Sequence, residues 1–289
     1  MMTDERIQIL KKVGFWFIIG LICFYLLFPF YWAVNSSLKT EDQLMMMPAT
    51  FVPRNPDTGA IDISFKNYQQ LFNNKTFMRG ILNSAIVATT TTILSLMVGS
   101  FSAFALGKLR FKGKKLSLYV ILSMTMFPQV TVLTGLYALI RQYNLGPRFS
   151  MIFSYMLFAL PFTTWVLTSF FKDLPDEIMQ SAQVDGATAF QTFRLILLPL
   201  TAPALVTTGL LTFIRAWNEY LFALTFTSFD AEARTVPVAI ALFSGEVSRQ
   251  EPAGAKMAAA VLVTLPIVGL VLYFQKKIVK GLTAGSVKG

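Results

Sequence analysis

Residues 172–200 read KDLPDEIMQSAQVDGATAFQTFRLILLPL, a polar stretch between long apolar segments. Pro175 suits the first turn of a helix, where its missing N–H costs no hydrogen bond, and good helix formers follow it. The Asp-Gly pair at 185–186 then ends that helix, and Thr188 with Gln191 has the spacing of a capping box. The stretch therefore predicts two short helices joined by a tight glycine turn.

Apolar side chains lie on these two helices, although the helices are too short and too polar to cross a bilayer. They are Ile178, Met179, Phe190 and Phe193. Two interpretations account for them: the side chains dock on another protein, or they pack back against neighbouring membrane helices. Composition favours neither interpretation.

The composition is that of a membrane protein. Hydrophobic residues make up 54% of the chain, and the mean hydropathy is +0.58. The formal net charge is +10, but Lys and Arg cluster at the ends of apolar segments, which indicates membrane topology and not nucleic-acid binding. Cys23 is the single cysteine and there is no histidine. An intrachain disulfide and a cysteine or histidine metal site are therefore excluded.

Six apolar segments have the ~20 residues that a helix needs to cross the hydrocarbon core. They are approximately 13–35, 80–106, 116–140, 150–171, 200–225 and 257–275. Prolines within some of them are compatible with membrane helices, because neighbouring groups satisfy the freed carbonyls. We expect an all-α membrane protein: one permease domain over residues 1–289 with six transmembrane helices, a helix-turn-helix loop at 172–198 and a C-terminal tail at 276–289.

Positively charged residues set the expected orientation. Lys and Arg are denser in the short segments on the side of the two termini and the 172–198 loop than in the longer loops opposite. The positive-inside rule therefore places both termini and this loop in the cytoplasm. Residues 36–78 and 226–256 are then outer segments. Within the second, the apolar run 236–243 is either a plain surface loop or a segment that re-enters toward the membrane.

Catalytic motifs are absent from the sequence. It has no G-x-x-x-x-G-K-[ST] phosphate loop, no G-x-S-x-G elbow and no H-E-x-x-H pair. The one acidic residue within the predicted spans is Glu219, and a single carboxylate does not make an acid–base pair. We therefore expect no enzymatic activity and no cofactor.

Glu219 nevertheless requires an explanation, because an ionisable group in a membrane helix is costly. Arg215 lies one turn earlier, so a structural ion pair is one interpretation. The other is a solute path lined by Asn218, Trp217 and Glu219, in which Asn218 is the first choice because amides hydrogen-bond hydroxyl groups. Asn83, early in the second span, is a second candidate on the same argument.

The 172–200 stretch resembles the coupling loop of binding-protein-dependent ABC importer permeases. The likeness lies in Asp185-Gly186-Ala187, Phe193-Arg194 and 198–200, while Gln180-Ser181-Ala182 replaces the family's Glu-Ala-Ala. In that family the loop sits in a groove of the cytoplasmic ATPase. The resemblance implies that the contact residues are Gln180, Ser181, Ala182, Asp185, Gly186, Ala187, Phe190, Phe193 and Arg194.

Two further segments resemble the carbohydrate-importing branch of this family. Residues 215–224 read RAWNEYLFAL, like its fifth span, and residues 281–289 read GLTAGSVKG, like the tail of maltose-type and trehalose-type permeases. In that family the tail reaches into the ATPase dimer. This implies ATPase contacts by Gly285, Ser286, Val287 and Lys288.

The resemblance implies one of two permease subunits of a bacterial inner-membrane ABC importer for maltose, maltodextrin or trehalose. Its expected partners are a second homologous permease, an ATP-binding cassette ATPase dimer, an extracytoplasmic sugar-binding protein and the lipid bilayer, without nucleic acid. The alternative is an ion-coupled secondary transporter. Such a transporter usually needs several intramembrane carboxylates or broken helices in matching halves.

Overall fold

The computed structural model describes residues 4–243 and 252–284. Within these residues the chain is helical, and its β-type pairing is limited to an isolated bridge between Arg54 and Ile61. The all-α fold class is confirmed. The helices, in chain order, are α1 (Asp4–Ser37), α2 (Glu41–Leu44), α3 (Lys66–Asn73), α4 (Lys75–Lys108), α5 (Lys114–Ser123), α6 (Gln129–Gln142), α7 (Pro147–Asp173), α8 (Asp176–Val184), α9 (Ala189–Gln191), α10 (Leu198–Leu200), α11 (Ala202–Trp217), α12 (Leu221–Phe226), α13 (Val236–Ala241) and α14 (Ala253–Ala284). A 3₁₀ turn covers Met124–Met126, and a π-helix covers Thr192–Leu197.

Four helices of the described chain are long and apolar enough to cross a membrane, and two bent pairs bring the number to six. The four lie in α1, α4, α7 and α14. The bent pairs are Lys114–Met126 with Gln129–Gln142, at 95°, and Ala189–Leu200 with Ala202–Trp217, at 76°. Four of the predicted segments thus fall on continuous helices, while the third and fifth are broken.

Local chemistry explains the first break, and the fifth span has a further break beyond its 76° bend. Pro128 stands in an extended conformation before α6 and has no N–H to continue the preceding helix. The predicted fifth span, 200–225, stops at Trp217, and α12 begins afresh at Leu221. The predicted tail also differs, since α14 continues to Ala284. The expected tail contacts Gly285, Ser286, Val287 and Lys288 lie outside the described residues.

The chain divides into two compact units. The first comprises Met1–Lys75 with Leu242–Leu265, and the second comprises Thr76–Ala241 with Pro266–Gly289. In the first unit the buried Asn67 amide donates to the carbonyls of Ser37, at 2.9 Å, and Lys39, at 2.7 Å. A Cβ at Gly254 would lie 2.6 Å from the same amide nitrogen, so this close approach requires glycine.

Small residues bring the long helices of the second unit together. A Cβ at Gly99 of α4 would lie 2.6 Å from Thr163 of α7, and one at Gly209 of α11 would lie 2.8 Å from Leu96 of α4. Close backbone approach through glycine and threonine is the usual way that membrane helices gain packing energy. These contacts fix the three helices around which the functional groups are arranged.

Candidate functional site

The helix-turn-helix loop at 172–198 has the local structure that its sequence predicts. Gly186 adopts a φ of +80° and donates its N–H to Gln183 at 3.1 Å, while Ala187 donates to Ala182 at 2.9 Å. This pair of bonds is the Schellman ending of a helix, which favours glycine because other residues are strained at positive φ. A reciprocal capping box between Thr188 and Gln191 then starts α9.

Phe193 anchors this loop to the long helices of the second unit. Its side chain is 3% exposed, and its ring centroid lies 4.9 Å from that of Phe101, 5.0 Å from Phe104 and 6.1 Å from Phe171. Ile178 and Met179 pack against the same buried cluster. Of the two interpretations of the loop's apolar residues, packing against neighbouring helices therefore applies to Phe193, Ile178 and Met179.

A buried ammonium makes a second attachment. The Lys108 side chain is 3% exposed, and its Nζ donates to the Leu174 carbonyl at 2.5 Å and to Asp176 Oδ1 at 2.6 Å. Asp176 is the first residue of α8, so the pair joins the end of α4 to the start of the loop's first helix. The hydrogen bond from Lys108, and then the charge of its ammonium, hold the pKa of the Asp176 carboxyl below its usual value.

The outward surface of the loop differs in part from the expected contact residues. Ala182 is 3% exposed and packs inside, whereas Phe190 remains 54% exposed. The other exposed or half-exposed members of the expected set are Gln180, Ser181, Asp185, Gly186, Ala187 and Arg194. The sequence argument missed Val184, which is 88% exposed at the end of α8. A β-branched apolar residue directly before an Asp-Gly turn was the available signal.

Glu219 serves as a helix cap. Its two carboxylate oxygens accept the backbone N–H groups of Phe222, at 2.9 Å, and Ala223, at 3.1 Å. This satisfies the first turn of α12 and explains how the fifth span is broken without leaving donors unpaired. Salt bridges in the described residues join Arg79 with Glu232 and Lys108 with Asp176, and Glu219 has no such bond with Arg215.

The expected Arg215–Glu219 ion pair is thus absent from the described residues. Arg215 instead places its guanidinium 5.8 Å from the Phe162 ring centroid, a cation–π arrangement. Asn218 is exposed, and its side chain donates to the Ile214 carbonyl at 2.9 Å. Trp217 is 2% exposed and stacks on Phe213, so it packs within the protein and does not present its ring to a passing solute.

Asn83 also has a structural role. It is 1% exposed, and its amide nitrogen donates to the carbonyls of Glu232, at 2.8 Å, and Arg234, at 2.9 Å. Its amide oxygen accepts from Arg148 at 3.1 Å. With these three partners Asn83 fastens residues 232–234 to α4 and α7, which corrects the expectation that it lines a solute path. Next to it, the first six residues of the apolar run 236–243 fold as α13, and Val236 and Val238 are fully buried.

A small cavity with a volume of about 40 Å³ lies between α4, α7 and α11. Glu219 and Arg215 line it, together with the rings of Phe158, Phe162 and Phe222. The other polar side chains on its wall are Thr91, Gln129, Tyr155 and Thr212. Of the four predicted path residues, Glu219 is the one that the structure places here.

The fold and the loop together define a multi-pass membrane subunit with a mechanical attachment point and no catalytic cluster among its described residues. The chain belongs to the family described as binding-protein-dependent transport system inner membrane component, which matches residues 95–284. Members of this family are transport permease subunits of ABC importers and not enzymes. The alternative of an ion-coupled transporter has no support.

Relatives and solved structures agree with this membership. The chain is 36% identical to the trehalose transport system permease protein SugB of Mycobacterium tuberculosis, over 96% of this chain and 99% of the relative. It is 37% identical to the trehalose/maltose transport system permease protein MalG of Thermococcus litoralis, over 98% of this chain and 99% of that relative. A chain of a bacterial ABC transporter involved in the import of the acidic polysaccharide alginate shares the fold, with a TM-score of 0.76 and 20% sequence identity. The match covers 96% of this chain and 99% of that chain.

The Lys108–Asp176 attachment predicts a pH-dependent stability. Because folding lowers the pKa of Asp176, the ion pair stabilises the protein above the usual aspartate pKa and is lost as the pH falls through the lowered value. Asp176→Asn should therefore melt at a lower temperature than the parent protein at pH 7. The difference should shrink in acid, where the parent carboxyl is also neutral.

The matched control is Glu177→Gln, which changes an exposed side chain one residue later and should show little change in melting temperature. A difference for Asp176→Asn that stays constant down to pH 3 would contradict this role.

Proposed function

We propose that this chain is one of two permease subunits of an ATP-driven importer for neutral disaccharides of the trehalose and maltose class. The observation that carries the proposal is full-length identity of 36–37% with permeases of trehalose and trehalose/maltose systems. The RAWNEYLFAL segment at 215–224 supports the same class. It contains Glu219, the one predicted path residue that lines the cavity.

The proposed assembly adds a second homologous permease, an ATPase dimer and an extracytoplasmic sugar-binding protein. The family description itself names dependence on a binding protein. Between Lys11 and Ser37, the most apolar part of α1 has none of its residues buried, which leaves surface for lipid or the second permease. The density of Lys and Arg beside the 172–198 loop supports a cytoplasmic position for it and for both termini.

In this proposal the 172–198 loop receives work from the ATPase. The chain carries no phosphate-binding loop, so ATP acts on it through contact with partner subunits. Val184, Asp185 and Phe190 are exposed and form the proposed contact surface. Movement at this surface reaches the spans through the buried Phe193 ring and the Lys108–Asp176 pair. ATP shifts the spans only if the ATPase binds one of their arrangements better than the other.

The bent spans supply the proposed moving parts. The π-helix forms the end of the loop, and the 76° bend lies between the loop and α11. Helical segments of the π type often occur at functional sites. A rocking of α11 relative to α4 and α7 would open and close the cavity at Glu219. This gives alternating access around one path.

Uptake by the purified importer tests the proposed function. The assembly is isolated from its native membrane and reconstituted in vesicles with ATP inside, and binding protein loaded with radiolabelled trehalose or maltose is added outside. We expect ATP-dependent uptake of at least one of these sugars. Uptake of neither sugar, or uptake driven by an ion gradient without ATP, would contradict the proposal.

Substitution of Gly186 tests the coupling role. Among the described residues, no atom beyond its chain neighbours lies within 4 Å of a Cβ placed there, so within this subunit a substitution acts through backbone conformation. A branched residue at φ +80° is strained by about 1–2 kcal/mol, which lowers the population of the turn roughly 5- to 30-fold. We expect the Gly186→Val protein to insert normally into the membrane. The ratio of sugar taken up to ATP hydrolysed should fall by a similar factor.

Gly186→Asn is the matched control, since asparagine tolerates positive φ better than other residues with a Cβ. It should retain more uptake than Gly186→Val. Uptake and hydrolysis measured in the same vesicles give the ratio. Equal ratios for the two variants would show that the turn conformation does not limit coupling.

A further inference from the structure

Two buried hydroxyl groups face the cavity of the second unit without a hydrogen-bond partner of ordinary geometry in the described residues. Thr91 is 0% exposed and Tyr155 is 5% exposed, and neither Thr91 Oγ1 nor Tyr155 Oη makes a hydrogen bond of ordinary geometry there. Both residues line the same cavity. Buried polar groups are nearly always hydrogen-bonded, so two such hydroxyl groups on residues that line one cavity need an explanation.

Glu219 lines the same cavity and has acceptor capacity to spare. Tyr155 interacts with the Glu219 carboxylate by charge and by a weak side-chain hydrogen bond, whose geometry lies outside the ordinary range. Each carboxylate oxygen accepts one backbone N–H and retains a further lone pair. A ligand hydroxyl placed between Tyr155 and Glu219 would satisfy both groups.

Aromatic rings complete the wall. Phe158 and Phe222 lie in contact, with ring centroids 5.6 Å apart, and both line the cavity. A pyranose ring has an apolar C–H face and a rim of hydroxyls, so it matches aromatic surface beside hydroxyl and carboxylate groups. A purely apolar solute would leave the two hydroxyls unpaired, and an anionic group would face the Glu219 charge.

We propose that Thr91, Tyr155 and Glu219 form a hydroxyl-recognition subsite for a neutral sugar on this chain. The inference rests on the proposed sugar importer and goes beyond it by assigning the contact to these residues. At about 40 Å³ the cavity has room for a few water molecules and not for a pyranose ring. The subsite therefore binds its ligand in a conformation in which α4, α7 and α11 have moved apart.

The test removes each hydroxyl with little change of shape. Tyr155→Phe and Thr91→Val are made in the whole importer, and uptake of radiolabelled trehalose and maltose is measured in vesicles. Each change removes one hydrogen bond to the sugar, so uptake should fall about three- to tenfold. The melting temperature of Thr91→Val should stay the same or rise, because the Thr91 hydroxyl has no partner in the sugar-free protein. ATP hydrolysis stimulated by loaded binding protein should be retained.

Matched controls make the same chemical changes elsewhere. Thr92→Val removes a hydroxyl that is bonded to the Ala88 carbonyl at 2.7 Å, and Tyr119→Phe alters a side chain that is 67% exposed. Neither residue lines the cavity, so uptake should stay at the parent level in both.

Three results would overturn the subsite. Parent-level uptake by Tyr155→Phe and Thr91→Val is the first. The second is a fall in uptake matched by a fall in melting temperature, which indicates a packing role. The third is a parent importer that takes up neither sugar. That outcome alone also removes the proposed function, whereas the first two leave it standing.

Discussion

Phe193 packs among the rings of Phe101, Phe104 and Phe171, and this contact joins a polar loop to the long helices of its unit. A phenylalanine in water would leave the loop free to move independently. Large-to-small replacement of such a buried ring typically costs about 3–5 kcal/mol, so the loop moves together with α4 and α7, which carry its partner rings. The Lys108–Asp176 pair adds a second point of attachment, one that places a buried ammonium against the first turn of α8. With two attachments, a displacement of the loop becomes a displacement of the helices.

Because of this attachment, the inward and outward faces of the loop have different roles. The loop's inward face is apolar and rigidly packed, while its outward face carries Val184 and Phe190, 88% and 54% exposed. In the proposed importer, the outward face meets the ATPase and the inward face transmits its movement. At the other end of α11, Glu219 caps a new helix and lines the cavity. The break in the fifth span thus places a polar group in the proposed path while satisfying the backbone.

Sequence patterns predicted the parts of this structure that depend on local chemistry. The Asp-Gly turn, the Thr188 capping box and the apolar segments are short-range signals. The structure has the turn and the box, and it places four of the six segments on continuous helices. These short-range signals did not predict which side chains are buried or which partners they contact. Phe193 and Phe190 look equivalent in sequence, yet one is buried and the other exposed, because burial depends on α4 and α7 far along the chain. Asn83 looks like a free amide and is fastened by residues 148, 232 and 234. Arg215 and Glu219 have the spacing of an ion pair, but the helix ends between them and the backbone takes the carboxylate.

The account depends most directly on contact between the loop and an ATPase, and photo-crosslinking from Val184 measures that contact. A benzophenone amino acid replaces Val184 in the native membrane, and the same replacement of Phe229, 93% exposed in the proposed outer segment, serves as control. The account predicts an ATP-sensitive crosslink from position 184 to an ATPase subunit and none from position 229. A crosslink from position 229 to the ATPase, or none from position 184 to any cytoplasmic protein, would contradict it.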